Sequence, residues 1–99
     1  MPQTAVDFLT AWFADHCDGE WEHDLGISIE TLDNPGWALD VRLEDTELEG
    51  VVADWRRVEK SAGSWLHWRS TGAVFEARCG VADLTTALEA FRNFASSAR

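Results

Sequence analysis

The residues that could carry chemistry lie close together in one short stretch of the chain. His16, Cys17 and His23 fall within residues 15–24, where five of ten side chains are acidic. Imidazole, thiolate and carboxylate groups are the usual ligands of zinc, but zinc-binding sequences pair their ligands as C-x₂-C or H-x₃-H. Because His16 and His23 are seven residues apart, we predict no metal site. A small-molecule- or metal-binding domain, or a small enzyme, using the His16–Asp24 cluster is the alternative function.

Nucleophilic catalysis would need a reactive side chain beside a base, and the sequence offers one pair to consider. Cys79 and His67 lie on neighbouring predicted strands, but strand alternation points Cys79 towards the core and His67 towards the opposite face. The chain has no glycine-rich phosphate loop and no marked pair of carboxylates for acid–base work. We therefore predict no catalytic residues and no cofactor, and expect a binding protein rather than an enzyme.

Charge is distributed unevenly along the chain, whose net charge is −10. Residues 1–54 hold fourteen acidic side chains and one basic one, whereas residues 55–99 hold four acidic and seven basic, so the halves carry −13 and +3. An acidic half repels phosphate backbones, which argues against nucleic acid as a ligand. The same charge would attract a basic protein, although solubility alone is the other interpretation.

Length and composition predict a single cytoplasmic domain over residues 1–99. Apolar residues make up 45% of the chain, and its six Trp and five Phe suffice for an aromatic core. No apolar run approaches the roughly 18 residues of a membrane span, and the first residues lack the features of a signal peptide. We expect no membrane partner, and the sequence does not reveal whether the chain forms a homodimer.

One helix is predicted near each end of the chain. Residues 5–16 place apolar side chains on one broad face, and Thr4 and Asp7 form a capping box at its start. Residues 83–96 repeat apolar side chains with a 3.6-residue period, with Asp83 as the predicted N-cap. Residues 15–24 show no apolar period and predict a loop.

A hairpin is predicted after this loop. Residues 25–32 and 37–43 alternate apolar and polar side chains, and the intervening Asp33-Asn34-Pro35-Gly36 is a turn signal. The apolar pattern predicts the pairs Ile27–Leu43, Ile29–Val41 and Thr31–Leu39. This register also sets two carboxylates, Glu30 and Asp40, against each other.

A second hairpin, over residues 64–79, is predicted to close at Thr71-Gly72. The predicted pairs are Trp68–Phe75 and Leu66–Ala77 on the core face, and His67–Glu76 and Trp65–Arg78 on the other. Trp65 and Arg78 would then make a cation–π contact across the strands. Cys79 is expected on the core face.

Residues 48–60 fit two kinds of secondary structure. A helical period is formed by Leu48, Val51, Val52, Trp55 and Val58, and Thr46 with Glu49 would cap such a helix. The valines suit a strand equally well. Periodicity alone leans slightly to a helix.

Two polar stretches are candidates for a binding edge. Trp21 lies between Glu20 and Glu22, and an exposed aromatic side chain flanked by charge is typical of an interface anchor. In the second stretch, Pro35 and Gly36 suit the turn itself, whereas Trp37 is either a strand anchor or a contact residue. The predicted binding residues are Asp18, Glu20, Trp21, Glu22, Asp24, Asp33 and Trp37.

Motifs in order along nearly the whole chain carry a family resemblance. They are Cys17-Asp18-Gly19-Glu20-Trp21-Glu22-His23, Thr31-Leu32-Asp33-Asn34-Pro35-Gly36-Trp37, Trp65-Leu66, Phe75-Glu76-Ala77-Arg78-Cys79-Gly80 and the closing Leu84…Leu88…Phe91 helix. In these motifs the chain resembles the immunity protein 53 family of bacterial polymorphic toxin systems. The first two motifs are the most specific of the set.

The resemblance implies a non-catalytic immunity protein, encoded beside a toxin, that neutralises it by stoichiometric binding in the producing cell. It also favours a strand for residues 48–60, and we follow it against the helical period. The candidate binding residues above then become predicted contacts to a toxin with a basic surface. The predicted fold is α+β, an antiparallel β-meander of about four to five strands with N- and C-terminal helices packed on one face.

Overall fold

Five strands and two longer helices make up most of the chain in the computed structural model, which describes residues 3–97. The elements are α1 (Ala5–His16), α2 (Trp21–Asp24), β1 (Ile27–Leu32), β2 (Gly36–Arg42), β3 (Val52–Ser61), β4 (Ser64–Thr71), β5 (Val74–Cys79) and α3 (Leu84–Ser97). No helix within residues 3–97 has the length and apolar character that a membrane crossing requires.

The strands form one antiparallel sheet in the order β1-β2-β5-β4-β3. The α+β class, the single antiparallel sheet and the two terminal helices are confirmed. The strand order differs from that of a simple meander, which would place β3 beside β2. Instead β5 lies beside β2, so the chain crosses to the far edge of the sheet before β3 begins, and β1 and β3 become the two edges.

The first hairpin has the predicted faces but a different register. Ile27 lies opposite Val41 and Ile29 opposite Leu39, two residues away from the predicted pairing, which was wrong. A shift of two residues keeps every side chain on its face, so the apolar pattern alone does not distinguish the two registers. The observed register places Ser28 opposite Asp40 and thereby removes the predicted clash with Glu30.

The second hairpin shows the same two-residue shift. Leu66 lies opposite Cys79 and Trp68 opposite Ala77, so the predicted pairs were wrong although the core face was right. On the other face Arg78 lies opposite His67 rather than Trp65. The predicted Trp65–Arg78 contact is therefore replaced by an ion pair between Arg78 and Asp40 of β2, at 2.9 Å.

Residues 48–60 contain most of strand β3, as the family resemblance implied and against the helical period. The residues before β3 form turns, in which the Thr46 hydroxyl accepts a hydrogen bond from the Leu48 amide at 3.1 Å. Strand β3 lies at the sheet edge, where most of its side chains are exposed. Its register shifts between Ala53 and Arg56, which breaks the alternation expected of a strand.

Both terminal helices pack on one face of the sheet, around an aromatic core. Helix α3 is buried along its apolar stripe, and the ring of Phe91 lies 5.2 Å from that of Phe75 in β5 and 5.1 Å from that of Trp12 in α1. The predicted capping box of α1 is present, with the Asp7 amide 3.0 Å from the Thr4 hydroxyl. The helices, their faces and their common core are therefore as predicted.

Asp83, the predicted N-cap of α3, ties this helix to the sheet. Its carboxylate accepts hydrogen bonds from the Trp65 amide at 2.9 Å and the Ser64 hydroxyl at 3.2 Å. The helix itself begins one residue later, at Leu84. The start of α3 is thus fixed to the beginning of β4.

Phe91→Ala is expected to lower the free energy of unfolding by about 3–5 kcal/mol. Phe91 has no exposed surface and contacts rings from both helices and the sheet, so its removal leaves a cavity that three elements line. Urea denaturation of this variant and of Asn93→Ala, an exposed position on the same helix, measures the difference. Equal midpoints for Phe91→Ala and the unsubstituted protein would contradict this packing.

Candidate functional site

Residues 15–24, here called the acidic segment, comprise the last two residues of α1, a turn closed by hydrogen bonds, and the short helix α2. The prediction of a loop over the whole segment was wrong at Trp21–Asp24. The Asp18 carboxylate accepts hydrogen bonds from the Glu20 and Trp21 amides, both at 2.9 Å. Glu22 reaches back to accept from the Asp18 amide at 2.9 Å and from Gly19 at 2.8 Å. Gly19 takes a positive φ of 97°, which suits glycine at this point of the turn.

Asp18 and Glu22 therefore hold the acidic segment in shape. Hydrogen bonds from the Trp21 and Glu20 amides lower the pKa of Asp18. The pKa of Glu22 is lowered in the same way, by backbone N–H groups that include its own and those of Asp18 and Gly19. Hydrogen bonds from backbone N–H groups favour the ionised form of both carboxylates.

Trp21 is buried and does not form an exposed anchor. Only 5% of its surface is accessible, so the expectation that it projects from a polar loop was wrong. Its ring lies 5.8 Å from that of Trp12 and 5.9 Å from that of Phe13, both on α1. Its indole N–H donates to the carbonyl of Glu44 at 2.9 Å. Trp21 thus docks the acidic segment onto the core.

A second acidic stretch, residues 44–49, packs against the acidic segment; we call it the acidic turn. It is held there by Glu47, whose carboxylate accepts a hydrogen bond from the Trp12 indole at 2.9 Å and lies 2.7 Å from Nε2 of His16. Glu47 was not among the residues predicted from the sequence. The spacing of Thr46 and Glu49 was interpreted as a helix cap, and no local signal connects Glu47 with His16, thirty-one residues earlier.

The contacts of the Glu47 carboxylate with Trp12 and His16 hold the acidic turn against α1. Partial burial of Glu47 works against ionisation, but hydrogen bonds from its own amide, from His16 and from Trp12 outweigh it and lower the pKa of the carboxyl group. The other ring nitrogen of His16, Nδ1, lies 2.7 Å from the Trp12 carbonyl. Both nitrogens of His16 therefore face oxygen acceptors, and the imidazole bridges α1 to the acidic turn.

The two acidic stretches together line a shallow depression of about 190 Å³. We call its carboxylates the acidic surface; they are Asp18, Glu20, Asp24 and Asp45. Three come from the acidic segment and one from the acidic turn, and all four residues are exposed. The fold therefore places negative charge from two distant parts of the sequence on one side of the molecule.

The other residues singled out by sequence are distributed differently. Asp33 and Trp37 lie at the far end of β1 from Asp24, about 20 Å away for a six-residue strand. Trp37 is half-buried, and its indole donates to the Val81 carbonyl at 2.9 Å, which fits the strand-anchor interpretation. The structure therefore separates these two candidates from the acidic surface.

The His16–Asp24 cluster does not assemble as a site of metal ligands. Within residues 3–97, no three His, Cys, Asp or Glu side chains come close enough to hold a metal ion. Cys17 is exposed, and partial desolvation followed by the charges of Glu22 and Asp18 raises the pKa of its thiol. His16 is engaged with Glu47 and the Trp12 carbonyl, as described above.

Trp21→Ala is expected to lower the free energy of unfolding by about 3–5 kcal/mol, the range for a buried aromatic side chain. The physical reason is its burial against Trp12 and Phe13. Thermal unfolding measures the loss. Trp55→Ala is the matched control, because that indole is 42% exposed. A similar small loss in both variants would contradict the docking role of Trp21.

The contribution of Glu47 to stability is expected to disappear in acid. The pKa of Glu47 is lowered in the folded state, so the Glu47 carboxylate binds a proton more tightly in the unfolded chain. The resulting stabilisation of the folded state is present above the ordinary pKa of 4.5 and is lost as the pH falls below that value. Chemical denaturation at pH 7 and at stepwise lower pH should therefore show Glu47→Gln less stable than the unsubstituted protein, with the gap closing in acid. Glu20→Gln controls for the change in net charge. A stability difference between Glu47→Gln and the unsubstituted protein that widens in acid would contradict this role of Glu47.

Comparison with known proteins adds one family match. The family model described as immunity protein 53 matches residues 6–96, nearly the whole chain. No curated protein and no solved structure gives a significant match. The match covers most of α1, the acidic segment, the whole sheet and most of α3. The chain therefore belongs to the immunity protein 53 family, which carries an immunity function and implies a toxin as the partner.

Proposed function

We propose that this protein neutralises its toxin by binding it directly and stoichiometrically, without catalysis, and that the acidic surface is the first point of contact. The observation that carries the proposal is the convergence of the acidic segment and the acidic turn on one side of the molecule. The family match supports the toxin as partner. We further propose that the complex forms in the cytoplasm of the cell that produces the toxin.

Electrostatics supports a basic toxin surface as the binding partner. The protein carries a net charge of −10, and the acidic surface adds a local concentration of carboxylates on a rigid base. Complementary charge raises the rate of association by steering the encounter, and this effect weakens with salt. A protein that must capture a toxin before it acts benefits from fast association. The negative field also disfavours nucleic acid as a ligand.

Within the acidic surface, the exposed carboxylates of Glu20 and Asp24 are the proposed toxin contacts. Asp18 and Glu22 accept hydrogen bonds from the backbone of the acidic segment, so we assign them to its shape. Trp21 lies in the core beneath it. A test of binding must therefore change Glu20 and Asp24 and leave Asp18, Trp21 and Glu22 in place.

Reversing two exposed charges should slow association with the toxin. The variant Glu20→Lys with Asp24→Lys is expected to associate about tenfold or more slowly at low ionic strength, with the difference shrinking in salt. The probe is the purified, inactivated product of the toxin gene adjacent to this one, and surface plasmon resonance gives the rates. The melting temperature should stay close to that of the unsubstituted protein, because both side chains are exposed.

The matched control is Asp54→Lys with Glu89→Lys, which changes the net charge by the same amount outside the acidic surface. Asp54 is exposed, and the side chain of Glu89 is 44% exposed. Equal slowing in the two double variants would mean that total charge, not the acidic surface, governs the encounter. If the unsubstituted protein does not bind the toxin at all, direct neutralisation is wrong.

A further inference from the structure

We propose that a groove between α1 and the edge strand β1 is the water-excluded centre of the toxin interface. Resting on the proposed function, this inference names the element that retains the toxin after charge has attracted it. The occupant is a toxin surface that presents apolar side chains bordered by lysine or arginine.

The groove has a volume of about 270 Å³ and apolar walls. It is lined by Leu9, Thr10, Phe13 and Ile27. Leu9, Phe13 and Ile27 also pack against the buried core, so each is half-buried from behind while its outer surface faces the groove. Side chains held in this way lose little conformational freedom when a partner covers them, which favours tight binding.

Two exposed apolar side chains extend the groove along both of its walls. Val6 precedes Leu9 by three residues and Phe13 by seven, so the three share one face of α1, and Val6 is 55% exposed. On the other wall, Ile29 follows Ile27 on the same face of β1 and is 43% exposed. Val6 and Ile29 therefore add exposed apolar surface on the two elements that border the groove.

The position of β1 leaves this apolar surface accessible. Within residues 3–97, strand β1 is at the edge of the sheet and pairs only with β2. A partner can therefore approach the groove from the side without displacing an element of this part of the chain. Apolar surface beside an open sheet edge is costly to leave in water, and its presence on a monomer often marks a binding site.

One lining residue of the groove contacts the acidic segment, because the ring of Phe13 lies 5.9 Å from that of Trp21. Cys17 continues the face of α1 that carries Phe13, and its Sγ donates to the Phe13 carbonyl at 3.2 Å. Partial desolvation raises the pKa of the Cys17 thiol, and the charges of Glu22 and Asp18 raise it further. An apolar centre with a charged margin is the usual composition of a protein interface.

The charge at this margin determines what kind of protein can occupy the groove. A second copy of the chain would bring together two molecules of net charge −10. Like charges repel at such an interface, whereas a basic surface would be attracted. The proposed occupant is therefore the toxin and not another copy.

The test replaces the exposed groove residues and measures dissociation. Val6→Gln with Ile29→Thr should dissociate from the inactivated toxin at least about tenfold faster than the unsubstituted protein, because the apolar centre of an interface acts on dissociation. Its association rate should change little, since no charge is altered. The melting temperature is measured in parallel, and Val6→Gln alone provides the readout if the double variant folds poorly.

Val81→Gln with Val58→Thr is the matched control. These side chains are 60% and 50% exposed, and Val58 lies on the opposite edge strand, β3. The control should keep the dissociation rate of the unsubstituted protein, which would show that removing exposed apolar surface in general has no effect.

The outcomes separate this inference from the proposed function. If the groove variant dissociates like the unsubstituted protein while the Glu20 and Asp24 charge reversals slow association, the groove proposal is wrong and direct binding stands. If light scattering shows a dimer that the groove variant converts to a monomer, a second copy occupies the groove and the proposal is overturned. If the unsubstituted protein fails to bind the toxin, both proposals fail.

Discussion

Two buried tryptophans, each with an indole N–H that needs an acceptor, hold the acidic parts of the molecule together. Trp12 donates to the Glu47 carboxylate and Trp21 to the Glu44 carbonyl, so both bonds end on the acidic turn. A buried donor left without a partner costs roughly 1–3 kcal/mol. Repulsion between exposed carboxylates is screened by solvent and salt. The aromatic core therefore brings together two stretches that charge alone would separate.

The acidic segment divides its carboxylates between two tasks. Asp18, although exposed, and Glu22 accept hydrogen bonds from backbone amides and give the segment its fold, while Glu20 and Asp24 are exposed. All four look alike in the sequence, because each is an acidic side chain in a polar stretch. The distinction arises from the turn at Gly19, which directs amides towards two of the carboxylates. Only three-dimensional structure shows which charges are available to a partner.

Local patterns predicted the two terminal helices, the strand faces and the core, but not helix α2 or the neighbours of each strand. Both hairpin registers were wrong by two residues, since alternation fixes the face of a side chain and not its partner. The register depends on contacts far apart in sequence. At Gly36, a side chain would place its Cβ 2.3 Å from the Cys79 carbonyl oxygen, so β2 and β5 approach closely at this point. The sequence of the first hairpin does not include Cys79 and therefore does not reveal this close approach.

The candidate site was predictable as a charged segment but not as a surface. Trp21 looked exposed because its neighbours are acidic, yet the first turn of α2 directs it onto α1, where it contacts Trp12. Glu47 and the groove escaped notice because each joins elements that are distant in the sequence. The helical period of residues 48–60 misled because β3 is an exposed edge strand with an irregular register, which weakens the alternation of a half-buried strand.

Helix α1 links the two parts of the proposed interface. Trp12 on its inner side fixes the helix to the core, Phe13 on its outer side lines the groove, and its C-terminus leads into the acidic segment. The two parts act over different distances. Charge is felt within a Debye length of about 8–10 Å, whereas apolar attraction requires the expulsion of water at contact. Because both parts are rigidly attached to one helix, a toxin oriented by the acidic surface would meet the groove in a fixed geometry. Substitutions in the core beneath α1 would then alter both the stability of the protein and its affinity for the toxin. Substitutions at exposed positions would alter the affinity alone.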